Sequence, residues 1–309
     1  MRTVSQLLKE RYNEKVYRLS LTSGCTCPNR DGTIGTGGCT FCSAAGSGEF
    51  AALIHSPEDV KKQMENAKKR IADKTDARKF IAYFQAFTNT YGDLAHLEAL
   101  YRSVLEQPEI VILSLGTRPD CLGEEVMEML KRLNQIKPVW IELGLQTIHE
   151  KTARRIRRGY PLEVFEDAAE RLHSAGIEVI VHLILGLPSE SREDMLESAR
   201  YVAERASLIS GLKIHMLNVL EGSKMGEEYR RNPFPLLDLE TYTSITAEIL
   251  NLMPDEIAIH RMSGDGPGDL LIAPDWVRNK KKVLNTIRRK QNADRAERAG
   301  AGMPGKNGK

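Results

Sequence analysis

Short apolar runs rich in β-branched and aromatic residues recur along the chain, each followed by a longer segment with apolar positions three and four apart. Val4 to Tyr12 reads as an amphipathic helix and Val16 to Leu21 as a first strand. A helix over Pro57–Ala72 with a basic side precedes a strand at Lys79–Phe84, then a helix over Leu94–Glu106. Strands at Ile110–Leu115 and Val139–Leu145 flank a helix over Glu124–Gln135. Helices follow at His149–Arg158 and Leu162–Ala175, the latter stopped by Gly176. Ile177–Leu185 is a strand, Ser191–Arg205 a helix and Leu212–Leu217 a sixth strand. Leu239–Met253 is helical, Glu256–His260 a last short strand, and Val283–Lys290 opens a closing helix. From Gln291 the apolar period ends, and residues 291–309 are expected to be a disordered basic tail.

Strands alternating with helices predict parallel βα units, either a doubly wound sheet or a full or partial barrel. Both architectures put reactive groups on the loops at the carboxyl ends of the strands. The polar clusters fall there: Cys27–Cys42, Gln85–Tyr91, Thr117–Cys121, Gln146, Gly186–Glu190, Glu221–Lys224 and His260–Gly268. One active site at one end of one domain is the expectation.

Composition adds limits. The 309 residues carry a net charge of +2, too little for a strong global field toward nucleic acid. Basic residues do gather at Lys61–Arg70, Arg154–Arg158, Lys280–Lys282 and Arg288–Lys290, as solvated faces or as phosphate contacts. With no run of eighteen apolar residues and no signal peptide, a cytoplasmic location without a membrane partner is expected. Four of the five cysteines cluster, which in a reducing compartment suggests a metal site rather than disulfides.

Eleven residues separate Cys27 from Cys39 and two separate Cys39 from Cys42, across a Gly-rich loop able to wrap around a ligand. One reading puts Cys25, Cys27, Cys39 and Cys42 on a structural zinc, although the Cys25-x-Cys27 pair is tight for that. The other needs three thiolates on an iron–sulfur cluster and leaves one iron open for chemistry. Glu142, costly to bury unpaired, is expected to face a barrel lumen. Cys121 is a thiol on the active-site side or a small buried hydrophobe.

Cys27-Pro-Asn-Arg-Asp-Gly32 with Gly37-Gly-Cys-Thr-Phe-Cys42 resembles the cluster motif of radical S-adenosylmethionine (SAM) enzymes, in the spacing of a bacterial family related to the catalytic subunit of Elongator. Tyr83-Phe-Gln85 with Asn89-Thr-Tyr91, Gly116 to Leu122, Glu142 to Thr147, Arg158-Gly159, Leu185 to Pro188, Ile259-His-Arg261 through Gly264-Asp265, and Asp269 to Pro274 with Trp276 extend the resemblance over roughly residues 1 to 290.

That resemblance implies an α/β fold, a partial (β/α)6 TIM-like barrel with a short C-terminal extension. The divisions would be residues 1–15, 16–235, 236–290 and the tail. It implies a [4Fe-4S] cluster on Cys27, Cys39 and Cys42, which are both metal ligands and catalytic. SAM would chelate the open iron, and its reductive cleavage would give a 5′-deoxyadenosyl radical. Phe41 would lie near the adenine. Many relatives have Gly-Gly-Glu after the second strand, where this chain has Gln85-Ala-Phe-Thr-Asn89, so Gln85, Asn89 or a backbone carbonyl would meet the SAM amine. By similarity to coproporphyrinogen dehydrogenase, Gln146 and Arg158, twelve positions apart, would contact SAM, with His182 near the ribose and Glu142 beside it. A solvated helix face for Arg158 and a satisfied core residue for His182 are the competing readings. Arg118, Cys121, His260, Arg261 and Asp265 are expected near the substrate; a bracing ion pair would account equally for the last three.

The Elongator relationship points to wobble uridine in tRNA, with a reduced flavodoxin or ferredoxin-type donor and no acetyltransferase domain. A radical SAM enzyme acting on a small molecule or protein, and a non-catalytic zinc-binding protein, are the alternatives.

Overall fold

The computed structural model describes residues 1–46, 51–264 and 268–301, with side chains to residue 294. Its strands are β1 (Val16–Thr22), β2 (Ala52–Leu53), β3 (Lys79–Phe84), β4 (Ile110–Thr117), β5 (Val139–Gln146), β6 (Glu178–Leu185), β7 (Gly211–Met216), β8 (Val219–Leu220), β9 (Ala258–Arg261) and β10 (Leu271–Ala273). The α-helices are α1 (Val4–Tyr12), α2 (Val60–Lys69), α3 (Leu94–Leu105), α4 (Glu124–Asn134), α5 (Glu150–Arg155), α6 (Leu162–Ser174), α7 (Arg192–Ala203), α8 (Lys224–Arg231), α9 (Leu239–Leu252) and α10 (Lys280–Ala301).

Eight strands form one parallel sheet in the order β2-β1-β3-β4-β5-β6-β7-β9, curled into a half-barrel. The six long strands expected from sequence are its centre, and the two-residue β2 and short β9 are its edges. Outward residues of the strands pack with the helices into the main core, which includes Leu19, Phe84, Leu113, Leu143, Val181 and Ile214.

Side chains alternate along a strand, so the inward ones stack in layers. The lowest layer is apolar: Ile81, Ile112, Trp140, Ile180 and Ala258, closed from below by Leu7 and Leu8 of α1. A Thr3–Gln6 capping box starts α1 and an αL Asn13 ends it, which fixes this plug under the barrel. The next inward positions are polar, and they form part of the site described below.

The expected tail needs correction. Helix α10 continues to Ala301, with Val283, Ile287 and Gln291 buried. The Ala, Arg and Glu of residues 292–301 are strong helix formers, and the start of α10 packed on α9 supplies a nucleus from which they propagate. Asp265 and residues 302–309 lie outside the described residues. The β8–β10 pair and α8 lack a predicted counterpart because they are too short to set up a period.

Candidate active site

The cysteine loop leaves the carboxyl end of β1 and is tied down by its backbone. The Cys27 carbonyl accepts from the Arg30 and Asp31 amides at 2.7 and 3.2 Å, and the Asn29 carbonyl from the Gly38 amide at 2.7 Å. Gly38 sits at φ 79°, and a Cβ there would lie 2.9 Å from Arg30 Nε, so glycine is required. Asn29 Nδ2 donates to the Arg157 carbonyl at 2.6 Å, the Thr40 amide to the Ile156 carbonyl at 3.0 Å, and the Met225 amide to the Thr40 carbonyl at 2.8 Å. The loop is therefore clamped between the end of α5 and the start of α8.

All five cysteines are free thiols and half-buried. A hydrogen bond with Cys42, helped by Arg118 and Asn29 against the effect of burial, draws Cys39 down to about 7. Cys42, sharing that hydrogen bond and buried, rises well above the ordinary thiol value. Cys25 is different: burial raises it, its Sγ takes a 3.1 Å contact from Ser23 Oγ, and it packs on the main core. Phe41, between the two paired cysteines in sequence, rests among Ile156, Ile184, Leu187, Leu217 and Met225.

Arg118 crosses from the end of β4 to this loop. Its fork holds Asp120 at 2.9 and 2.7 Å, and Nη1 donates to the Arg158 carbonyl at 3.0 Å. Burial and Asp120 push the neighbouring Cys121 thiol up to about 12, which leaves it a protonated thiol.

The side chains of Arg158 and Asn89, both expected near SAM, are engaged by the chain itself. Arg158 is only 1% exposed; it donates to the carbonyls of Tyr160 (3.0 Å), Leu145 (3.0 Å) and Thr147 (2.7 Å) and to Glu150 (2.8 Å). It is neither a solvated face nor an open fork: it braces the β5 loop because five donors in one plane can satisfy several inward carbonyls together. Asn89, fully buried, donates to the carbonyls of Phe84, Ala86 and Gly116 and accepts from Ser23 Oγ at 2.9 Å. It ties the ends of β1, β3 and β4 together. Beside it Ala86 and Phe87 both hold positive φ, 72° and 57°, an unfavourable pair for non-glycine residues. Gln85 is half-buried at the start of this turn, and Gln146, also at positive φ (68°), folds its amide over Gly144. Both lie at the carboxyl ends of their strands and are half-buried.

Below the mouth the lumen is charged. Glu142 Oε2 accepts from Lys213 Nζ and lies 2.8 Å from His182 Nε2, while Oε1 accepts from Ser114 Oγ at 2.9 Å. Burial alone would raise the Glu142 carboxyl, but Lys213 and His182 hold it well below the usual carboxylate range. Burial lowers His182 and, more strongly, His215, so both imidazoles are neutral. Lys213 Nζ stands 4.1 Å and Arg18 Cζ 4.8 Å from the centre of the Tyr83 ring. Glu142 thus faces the lumen, and His182 is its partner. His260 stacks edge-on against Trp140 at 5.0 Å, low in the barrel and away from the mouth. Arg261 pairs in register with Lys213, beside the charged layer.

Arg18, Ser114, Lys213 and His215 were not singled out from sequence, and Tyr83 only as part of a resembling segment. A signal was present: Lys213 and His215 interrupt an apolar strand at alternate positions, the mark of one face turned to a polar interior.

Residues 27–202 match the Radical SAM superfamily, and residues 209–292 its C-terminal domain. This chain belongs to the radical SAM superfamily. The uncharacterized protein YtqA of Bacillus subtilis is 41% identical over 92% of the chain and 87% of its own length. The tRNA uridine(34) acetyltransferase of Methanocaldococcus jannaschii is 26% identical over 52% of the chain and 30% of its own length. The solved archaeal Methanocaldococcus infernus Elp3, at 17% identity, superposes with a TM-score of 0.66 over 89% of the chain and 63% of that structure.

The three thiols of this radical SAM enzyme suit a cluster better than one ion. A tetrahedral zinc at about 2.3 Å from each sulfur draws its ligands to within about 4 Å of one another. Among the described residues no three cysteine sulfurs lie within 4.8 Å of one another. The triad that does is His149, Asp194 and Glu197, in which Asp194 already caps α7. Thiolates that each take a separate iron tolerate the wider spacing.

Proposed function

We infer that Cys27, Cys39 and Cys42 hold a [4Fe-4S] cluster and that the radical SAM enzyme modifies tRNA, at a wobble uridine. The observation that carries the first part is three half-buried thiols clamped over the carboxyl end of a parallel half-barrel. When bound, the cluster and SAM supply the one-electron cleavage that yields a 5′-deoxyadenosyl radical.

The chain's own residues do the rest. Arg118 and Arg30 lie close enough to favour thiolates on the cysteine loop. Asn89 fixes the strained turn at Ala86–Phe87, whose carbonyls and the Gln85 side chain suit the SAM amine. Gln146 would serve as a donor and Phe41 as apolar cover for the nucleoside. The Glu142–Lys213–His182 set presents fixed charges to a group entering the lumen; a neutral His182 donates its Nε2–H to the Glu142 carboxylate, which leaves Nδ1 as its proton-accepting nitrogen.

The tRNA part is supported by the 26% identical tRNA uridine(34) acetyltransferase. A comparison of modified nucleosides in tRNA from cells with and without the gene tests it. Loss of one modified uridine, restored by the intact gene and not by Cys39→Ala, is expected; an unchanged profile would overturn it and favour a small-molecule or protein substrate.

A further inference from the structure

Behind the cysteine loop lies a cleft of about 460 Å³ lined by Thr40, Arg155, Arg157, Lys224 and Arg231 with Glu227, Glu228 and Asn232. It holds four cations against two carboxylates. Among the described residues only Arg155 of these has a carboxylate partner, Glu228. Lys224 Nζ donates to the Thr36 carbonyl at 2.7 Å and Arg231 Nε to the Glu227 carbonyl at 3.3 Å. Arg157 is exposed and has no carboxylate partner among the described residues. The floor has a further feature: Thr40 is 5% exposed, and its hydroxyl has no hydrogen-bond partner. A buried, unpartnered hydroxyl beneath unneutralised cations is arranged for an anionic group.

Thr40 is bonded in chain to Cys39. A molecule seated in this cleft is separated from a thiolate of the cluster loop by a single residue. None of the lining residues belongs to the lumen, where substrate meets the mouth. A redox partner needs what this place offers, since electron transfer falls steeply with distance and a carrier must approach the cluster without obstructing substrate.

We propose that the Thr40–Arg157–Arg231 cleft is the docking site of an acidic one-electron carrier protein that reduces the cluster through the back of the cysteine loop. A carboxylate of the carrier enters the cleft and the surrounding cations orient the pair. One electron leaves the carrier, which is oxidised, and enters the cluster, which is reduced; no bond is made or broken. The inference rests on the cluster assignment above, and its test separates the two.

The test uses the full chain with its cluster loaded, as wild type and as Arg157→Glu/Arg231→Glu. Neither side chain hydrogen-bonds the cysteine loop, and the Arg157 carbonyl that holds Asn29 is kept by the substitution, so both proteins are expected to be reduced equally by dithionite and then to cleave SAM equally. With reduced flavodoxin as electron source, the variant's cluster reduction, followed by absorbance, should slow on the order of tenfold at low salt. Its affinity for flavodoxin should fall in parallel, and high salt should erase the difference. Equal rates with flavodoxin would overturn the proposal. So would tRNA affinity lost in the variant while flavodoxin-driven reduction stays intact, which would make the cleft an RNA surface. Failure of dithionite-driven SAM cleavage in the wild type would instead strike the cluster assignment.

Discussion

His182 Nε2 lies 2.8 Å from Glu142 Oε2, the same oxygen that accepts from the buried Lys213 Nζ. Strands β5, β6 and β7 are thus joined through one carboxylate in the barrel interior. Glu142→Gln would leave Lys213 buried without a counter-ion, and a loss of about 3–5 kcal/mol is expected. Urea denaturation measures it. Adding Lys213→Met should recover part of the loss; a double variant as unstable as the sum of both singles would mean that the pair is not coupled.

The same carboxylate sets an acid limit. Its folded pKa lies below that of the unfolded chain, about 4.3 for Glu. Its contribution is therefore complete above that value and is lost as pH falls through the lower folded value. The stability gap between wild type and Glu142→Gln should stay level from neutral pH to about 5 and shrink below about 4. A gap that widens on acidification would show the opposite shift.

Asn89 satisfies three carbonyls and one hydroxyl at the meeting of three strand ends. Asn89→Ala takes the side-chain donor from the Phe84 and Ala86 carbonyls, while the Gly116 carbonyl keeps the backbone amide of residue 89, and a loss of about 2–4 kcal/mol is expected in the apoprotein. Thermal denaturation checks it; a change below about 1 kcal/mol would mean that water replaces the amide without cost.

Arg158→Lys distinguishes a brace from a ligand. A lysine reaches one of the four acceptors held by the arginine, so stability should fall by about 2–3 kcal/mol. SAM affinity of the folded, cluster-loaded variant, measured at low temperature, should match the wild type. A large loss of affinity with stability intact would restore the ligand role.

Much of the frame was legible because parallel strands announce themselves. Lys79–Phe84 and Val139–Leu145 are short, mostly apolar runs, and the structure keeps the first unchanged and extends the second by one residue to Gln146. The cysteine spacing pointed to a ligand-wrapping loop after β1, where the loop lies. Spacing did not reveal which polar residues face inward and which brace. Asn89 and Arg158 sit in loops that resemble binding segments, yet their donors are engaged by local carbonyls, a matter of backbone path rather than residue type. Lys213 was overlooked although it and His215 break an apolar strand at alternate positions, and its pairing with Glu142, two strands away, follows only from the sheet order. The helix to Ala301 was hidden because its stability comes from packing on α9 at its start rather than from a period of its own.

The central claim is that Cys27, Cys39 and Cys42 hold a cluster with one iron left for SAM. Electron paramagnetic resonance of the anaerobically reconstituted, dithionite-reduced protein tests it most directly, recorded with and without SAM. A reduced [4Fe-4S] signal that changes when SAM is added, and that is absent from Cys39→Ala, is the expected result. A signal indifferent to SAM, or a protein that carries stoichiometric zinc and gives no cluster signal, would contradict it.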